Sequence, residues 1–88
     1  MYYVYVLHSQ ADKGLYIGFS EDLTRRMCFH SQGRSASTSH RRPLRLVYYE
    51  AYASRSDAVG RERFLKSGAG RRHLDKQLRN YFLESPRR

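Results

Sequence analysis

Five side chains in this sequence could together bind an anion, hold a cation and move a proton: two tyrosines, an arginine, a histidine and a glutamate. Tyr5 lies in the segment YVY, Tyr16 lies in YIG, and Glu62 lies in AVGRERFLK. Between them, Arg26 and His30 are four residues apart and would share one face of a helix. Each has an ordinary explanation when taken alone, because strand tyrosines usually pack and helix charges at this spacing usually form an exposed ladder. Their grouping has chemical meaning only if the fold brings them together.

The first half of the chain predicts a β-hairpin followed by a helix. Residues 2–8 are rich in aromatic and β-branched side chains, which favours a strand. Residues 9–14 have the composition of a turn, and residues 15–18 form a second short strand. Ser20 is the expected N-cap of a helix that runs to about His30. Tyr16 and Arg26 would therefore lie on either side of a strand-to-helix turn.

The second half predicts one more strand and two more helices. In order, the pattern indicates a polar loop over 31–43, a strand over 44–53, a helix over 57–67 that Ser56 caps and Gly68 ends, and a helix over 71–83. The tail 84–88 is expected to fray. The order β-β-α-β-α-α predicts one small α+β domain over residues 1–83.

Charge is the strongest feature of the composition. The 88 residues include 17 Lys and Arg against 8 Asp and Glu, a formal net charge of +9, and most of the positive residues are arginine. Such a domain is expected to bind a polyanion, most often nucleic acid. Cys28 is the one cysteine, and no apolar run approaches the length of a membrane span, so we expect a reducing, cytoplasmic location and no membrane partner.

Together these segments resemble the GIY-YIG nuclease superfamily, in particular its small stand-alone bacterial members. The YIG half is intact as residues 16–18, and the GIY half is present as residues 3–5, with Tyr3 in place of the glycine. Arg26 follows Gly18 by eight residues, as the family's catalytic arginine does. Phe19 follows YIG where some members carry a lysine. The resemblance extends over about residues 2–75.

The resemblance implies a fold, a reaction and a role for each side chain. The fold is a three-stranded antiparallel sheet flanked by about three helices, and the reaction is metal-dependent hydrolysis of a phosphodiester. Arg26 would meet the charge of the phosphate, and Glu62 would anchor one Mg²⁺ or Mn²⁺. Tyr5 or Tyr16 would activate water, helped by His30, and the choice between the two tyrosines stays open. Gly18 would be a structural part of the motif.

Nucleic acid is the expected partner, with DNA favoured over RNA. Contacts to backbone phosphates are expected from a set of basic residues outside the catalytic group: Arg25, Arg34, Arg41, Arg42, Arg45, Lys66, Arg71, Arg72, Lys76 and Arg79. A salt bridge to Glu62 is the structural alternative for Lys66. No separate recognition domain is present in this sequence, so a protein partner could supply target recognition. Two main hypotheses therefore stand, an endonuclease and a nucleic-acid-binding module with little or no turnover. A third, weaker one is a ribosome-associated or general basic protein that shares the residues by descent only.

Overall fold

A three-stranded antiparallel sheet lies at the centre of the protein. The computed structural model describes all residues 1–88. The strands are β1 (Tyr2–Ser9), β2 (Leu15–Ser20) and β3 (Leu44–Tyr52). Their order is β2-β1-β3, so β1 pairs with a neighbour on each side and is the central strand. The predicted sheet is thereby confirmed.

Four α-helices accompany the sheet. They are α1 (Leu23–Ser31), α2 (Arg55–Lys66), α3 (Gly68–Gln77) and α4 (Arg79–Glu84), with one short 3-10 turn at Ser39–Arg41 in the loop before β3. The predicted α+β class is confirmed. The helix predicted over 71–83 is two helices, because the chain leaves helical geometry at Leu78 (φ −108°, ψ 27°). None of these helices combines the length and the apolar character needed to cross a membrane.

Both predicted N-caps are displaced by two residues. Asp22, and not Ser20, caps α1, since its carboxylate accepts a hydrogen bond from the backbone N–H of Arg25 at 3.0 Å. Ser20 is still in β2, and its hydroxyl accepts from the Asp22 N–H at 3.0 Å. Ser54 stands at the cap of α2 where Ser56 was expected, so that helix begins two residues earlier than predicted. In each case a second polar residue of suitable type lies nearby, and the Ser54 side chain makes no capping hydrogen bond.

The junction between α2 and α3 is tighter than the sequence indicates. Gly68 was predicted to end α2, but Ser67 makes the connection in extended geometry and Gly68 begins α3. The Ser67 hydroxyl caps α3 by accepting from the Gly70 N–H at 3.1 Å. A Cβ at Gly70 would overlap the carbonyl oxygen of Phe64. The absence of a side chain at Gly70 therefore lets the two helices approach closely.

The two faces of the sheet have different roles. On one face, a hydrophobic core is formed by Val4, Val6, Leu15, Ile17, Ala58, Leu65 and Leu74, which come from β1, β2, α2 and α3. Successive side chains of a strand point to opposite faces, so Tyr3, Tyr5 and Leu7 of β1 lie on the other face. There α1 covers part of the sheet, and His30 at its end reaches Tyr5. This second face contains the candidate site.

The C-terminal tail, which the sequence predicts to fray, makes contacts with the rest of the domain in this structure. The Arg87 guanidinium donates two hydrogen bonds to the Asp75 carboxylate on α3, at 2.7 and 2.9 Å. The backbone N–H of Arg88 donates to the carbonyl of Lys13 in the β1–β2 turn at 3.0 Å. A two-bond arginine–carboxylate pair is the strongest kind of surface ion pair, and it attaches the tail to the domain.

A carboxylate on β3 connects the sheet to α2. Glu50 accepts hydrogen bonds from the hydroxyls of Tyr48 and Tyr52 at 2.5 Å each. Arg61 of α2 donates to the same carboxylate from Nε at 2.9 Å and from Nη2 at 3.1 Å. Burial alone would raise the pKa of Glu50, but the hydrogen bonds from Arg61, Tyr48 and Tyr52 outweigh it and hold the pKa below its usual value. Glu50 is therefore ionised in the folded protein at neutral pH.

We expect Glu50→Gln to destabilise the protein in a pH-dependent way. At pH 7 the loss should be about 2 kcal/mol, since a partly buried charge network loses its central acceptor. A lowered pKa contributes stability above the ordinary glutamate pKa of about 4.3 and loses it as pH falls through the folded value. Thermal unfolding between pH 7 and pH 3 should show the gap between wild type and variant shrinking below about pH 4. A gap that stays constant across this range would contradict the role assigned to the charge.

Candidate functional site

The site begins with a close contact between neighbouring strands. In the β1–β2 register, Tyr5 lies directly opposite Gly18. The Tyr5 ring lies over the glycine so closely that a Cβ there would overlap the ring carbon Cζ and the hydroxyl oxygen. Only 1% of Tyr5 is exposed. The glycine of the YIG segment thus makes room for the buried tyrosine of the YVY segment.

Three rings pack together around this contact. The ring of His30 lies 5.7 Å from that of Tyr5 and 5.3 Å from that of Tyr16, in edge-to-face geometry. The Tyr5 hydroxyl is 2.8 Å from His30 Nε2, a hydrogen-bond distance. His30 is buried, although the helix-face reading of the sequence would leave it in solvent. Tyr16 is half-buried and is the more accessible of the two phenols.

Arg26 and Glu62 act electrostatically on these rings. Burial is the main cause that raises the pKa of Tyr5, and the neighbouring Tyr16 and the Glu62 carboxylate raise it further, while Arg26 lowers it. Burial also lowers the pKa of His30, and the positive charge of Arg26 lowers it further. Tyr5 and His30 are therefore neutral at pH 7. Tyr5 is thus the residue that connects the five, since Tyr16, Arg26 and Glu62 each act on it electrostatically and His30 is hydrogen-bonded to it.

A basic groove of about 540 Å³ lies beside the ring cluster. It is lined by Phe19, Ser20, Glu21, Asp22, Arg25, Arg26, Phe29 and Arg55. The Arg26 guanidinium lies 5.2 Å from the centre of the Phe29 ring, and the Arg55 guanidinium lies 5.4 Å from the centre of the Phe19 ring. These stacking contacts hold two positive charges in the walls of the groove.

Arg55 was missed by the sequence reasoning. It precedes Glu62 by seven residues, which is nearly two helical turns, so the two side chains lie along one stripe of α2. The seven-residue spacing is visible in the sequence. The predicted helix begins at residue 57, however, and so does not include Arg55. The Arg55 guanidinium lies over the ring of Phe19, at the position where some family members carry a lysine.

Glu62 is the carboxylate of the cluster that fits a hard divalent cation. Its side chain is 20% exposed and forms an ion pair of 3.0 Å with Lys66, one helical turn later, as the structural alternative for these residues predicts. The protein contains no group of three or more His, Cys, Asp or Glu side chains that could hold a metal ion. Mg²⁺ fits a single carboxylate, because it keeps several waters and takes phosphate oxygens as further ligands. A zinc-type cage does not fit.

The other basic residues fall into three groups. Some have partners within the fold: Arg41 pairs with Asp12 at 2.7 Å, and Arg42 donates to the carbonyls of Ser39 and Ser31. Some stack on rings: Arg34 lies on Phe29 at 5.5 Å and Arg45 lies on Tyr81 at 5.2 Å. The rest are Arg25 in the groove, the exposed Arg72, Lys76 and Arg79, and Arg71, whose buried Nε has no hydrogen-bond partner. Only Arg25, Arg34 and Lys66 of the predicted contacts lie next to the groove or the cluster.

The fold is that of a small basic α+β domain in which Tyr5, Tyr16 and His30 pack together and Arg26 lines a neighbouring groove. The chain belongs to the GIY-YIG family: the GIY-YIG catalytic domain matches residues 1–75. Members of this family are generally endonucleases that use divalent metal ions.

Similar proteins of the same size occur in bacteria, under the name UPF0213 protein. One from Streptococcus pneumoniae serotype 4 is 34% identical over 91 residues, covering 94% of this chain and 91% of the relative. One from Lacticaseibacillus paracasei is 37% identical over 84 residues, with 94% and 86% covered. One from Streptococcus pyogenes serotype M5 is 42% identical over 65 residues, with 73% and 70% covered. No solved structure matches the chain.

Proposed function

We propose that the protein is an endonuclease that hydrolyses phosphodiester bonds of nucleic acid, DNA in preference to RNA. The observation that supports this proposal is the grouping around Tyr5: His30 and Tyr16 pack against its ring, Arg26 and Glu62 act on it electrostatically, and Arg26 also lines the groove. Packing of the hydrophobic core does not require this combination of side chains, and neither does a ladder of charges on a helix surface. The relatives are bacterial, and the exposed thiol of Cys28 agrees with a reducing cytoplasm.

Each side chain has a role in this proposal. Arg26, held on the Phe29 ring, donates to the phosphate as negative charge develops there. Glu62 would hold one Mg²⁺ or Mn²⁺, which when bound supplies neutralisation of phosphate charge. As a phenolate, Tyr16 would be the better candidate for accepting the proton of water, because it is more accessible than Tyr5. Tyr5 remains protonated and acts as a hydrogen-bond donor, since burial raises its pKa.

A nucleic-acid-binding module without turnover is the second candidate. One contact favours it: Lys66 already pairs with Glu62, so a cation at that carboxylate would have to displace the ammonium. Such a module would use the same groove and would not need the buried tyrosine–histidine contact. A protein partner that supplies target recognition would fit either candidate, because phosphate contacts position a nucleic acid without reading its sequence.

The test is cleavage of labelled single-stranded, duplex and branched DNA and RNA, with Mg²⁺, Mn²⁺ or EDTA. We expect metal-dependent cutting by the wild type. We expect a loss of about 10²-fold or more in Tyr16→Phe, in the range of general base catalysis, and a smaller loss in Tyr5→Phe. Equal rates for wild type and Tyr16→Phe would remove Tyr16 from the mechanism. Binding without any cutting would select the binding module.

Arg55→Ala should weaken nucleic-acid binding, because Arg55 lines the groove. The binding of the variant should also depend less strongly on salt concentration. Each phosphate contact contributes about one unit to the slope of log affinity against log salt, so the slope should fall by about 1. Arg63→Ala is the matched control, an exposed arginine of the same helix outside the groove lining. Binding titrations of both variants between roughly 50 and 200 mM salt would measure the two slopes, because phosphate contacts lose much of their affinity over this range. Equal slopes for the two variants would show that the groove is not the binding surface.

A further inference from the structure

Thr38 is a buried polar residue that the proposed mechanism has not used. It lies in the polar loop between α1 and β3, yet it is 0% exposed. Its backbone is fixed on both sides, since its N–H donates to Ser35 and its carbonyl accepts from the Arg41 N–H at 2.9 Å. Its hydroxyl lies 2.8 Å from Nδ1 of His30. Tyr5, His30 and Thr38 therefore form a continuous buried chain of two hydrogen bonds.

The three hydrogen-bonded side chains have more polar protons than there are hydrogen bonds between them. A neutral imidazole donates from one ring nitrogen and accepts at the other. Tyr5, His30 and Thr38 then contribute three protons, one each, for only two hydrogen bonds. Because a neutral ring can accept from one hydroxyl only, one of the two hydroxyl protons must point away from the histidine.

The surroundings of the two hydroxyls decide which proton is left over. Thr38 is fully buried and its hydroxyl has no second partner, so an unbonded proton there would cost about 1–3 kcal/mol. Tyr5 is also nearly fully buried and its hydroxyl has no second partner within the protein, but its ring packs against the half-buried Tyr16 and experiences the charges of Arg26 and Glu62. On the proposed function, the acceptor for the extra proton lies at the tyrosine end and is a phosphate oxygen of the substrate.

We propose that Thr38 is a positioning residue that fixes the tautomer of His30. Thr38 donates to Nδ1, His30 donates from Nε2 to the Tyr5 oxygen, and the Tyr5 proton points into the site as a donor to a phosphate oxygen. The opposite arrangement would turn the Tyr5 proton back toward the histidine and leave the site without that donor. The excess of one proton follows from the contacts alone, whereas its position at Tyr5 and its effect on cleavage rest on the proposed function.

The ring nitrogens of His30 test the arrangement directly, without any cleavage assay. In protein labelled with ¹⁵N-histidine, the nitrogen chemical shifts and their couplings to the ring protons distinguish a protonated from an unprotonated nitrogen. The His30 signals are those absent from His30→Gln. We expect Nε2 to carry the proton and Nδ1 to be bare. A proton on Nδ1 in the wild-type protein would overturn the proposal.

A pair of substitutions tests the consequence for catalysis. Thr38→Val keeps the shape and removes the hydroxyl, and Thr38→Ser keeps the hydroxyl. We expect cleavage to fall about 10- to 100-fold in the valine variant, as when a supporting hydrogen bond to a site residue is lost, and to stay near wild type in the serine variant. Nucleic-acid affinity should be the same in both. A folded valine variant that cleaves at the wild-type rate would overturn the positioning role of Thr38. If the wild-type protein itself does not cleave, the proposed nuclease activity is overturned. The nitrogen chemical shifts of His30 would then decide the proton arrangement alone.

Discussion

Glu62→Gln is expected to reduce metal-dependent cleavage by about 10²-fold or more, the range observed when one fixed electrostatic contact to a transition state is removed. Glutamine has the size of glutamate but no charge, so it cannot anchor Mg²⁺ or Mn²⁺ in the same way. Glu62 is also one of the groups that raise the pKa of Tyr5, so the same change should lower that pKa. Both effects arise from the position of the carboxylate beside the ring cluster.

The control for this experiment is Glu84→Gln, the same chemical change at an exposed position of α4. Cleavage rates across a range of Mn²⁺ concentrations would separate weaker metal binding from a slower reaction. We expect the Glu62 variant to bind nucleic acid at least as well as wild type, since it loses a negative charge near the groove. Equal cleavage by the two variants and the wild type would show that Glu62 is only the ion-pair partner of Lys66.

Gly18→Ala is expected to destabilise the protein by about 2–3 kcal/mol, as overpacking of a tight core does. The new methyl group would overlap Cζ and the hydroxyl of Tyr5, and the buried ring has little room to move. For a domain of this size, the melting temperature should fall by roughly 10 °C or more. Any shift of the ring would also lengthen its hydrogen bond to His30, so cleavage should fall with stability.

Gly60→Ala is the matched control for this substitution. Gly60 lies inside α2, and a Cβ there would meet no atom within 4 Å. Alanine should therefore stabilise the protein by about 0.5–1 kcal/mol through its higher helix propensity. Circular dichroism melts of both variants would show opposite shifts of the melting temperature. Equal melting temperatures would mean that Tyr5 does not lie against Gly18 in solution.

The types of most elements could be predicted because their signals are local. The aromatic and β-branched residues of β1 indicate a strand, and the Asp12–Gly14 turn indicates a hairpin, without any knowledge of distant contacts. Boundaries were less certain where two suitable caps compete. Asp22, and not Ser20, caps α1 because Ser20 is still paired in β2, and where a strand ends depends on its pairing with other strands.

The site could be predicted only in part for the same physical reason. Tyr16, Arg26 and Glu62 are marked by motif spacing, which sequence shows directly. The burial of His30 and Thr38 depends on how the loop folds over the sheet, and nothing in a run of serines and threonines indicates which hydroxyl turns inward. Arg55 became visible only once the start of α2 was known.

The stacking of arginines on aromatic rings affects the thermodynamics of binding. Arg26 and Arg34 lie on the Phe29 ring, and Arg55 lies on Phe19. Immobilising a long side chain at an interface normally costs about 0.5–1.5 kcal/mol in rotamer entropy. Here that entropy is lost during folding, before any phosphate arrives. A lysine at each of these positions would preserve the charge but could not stack flat on the ring. Arginine therefore contributes a fixed side-chain position as well as a positive charge.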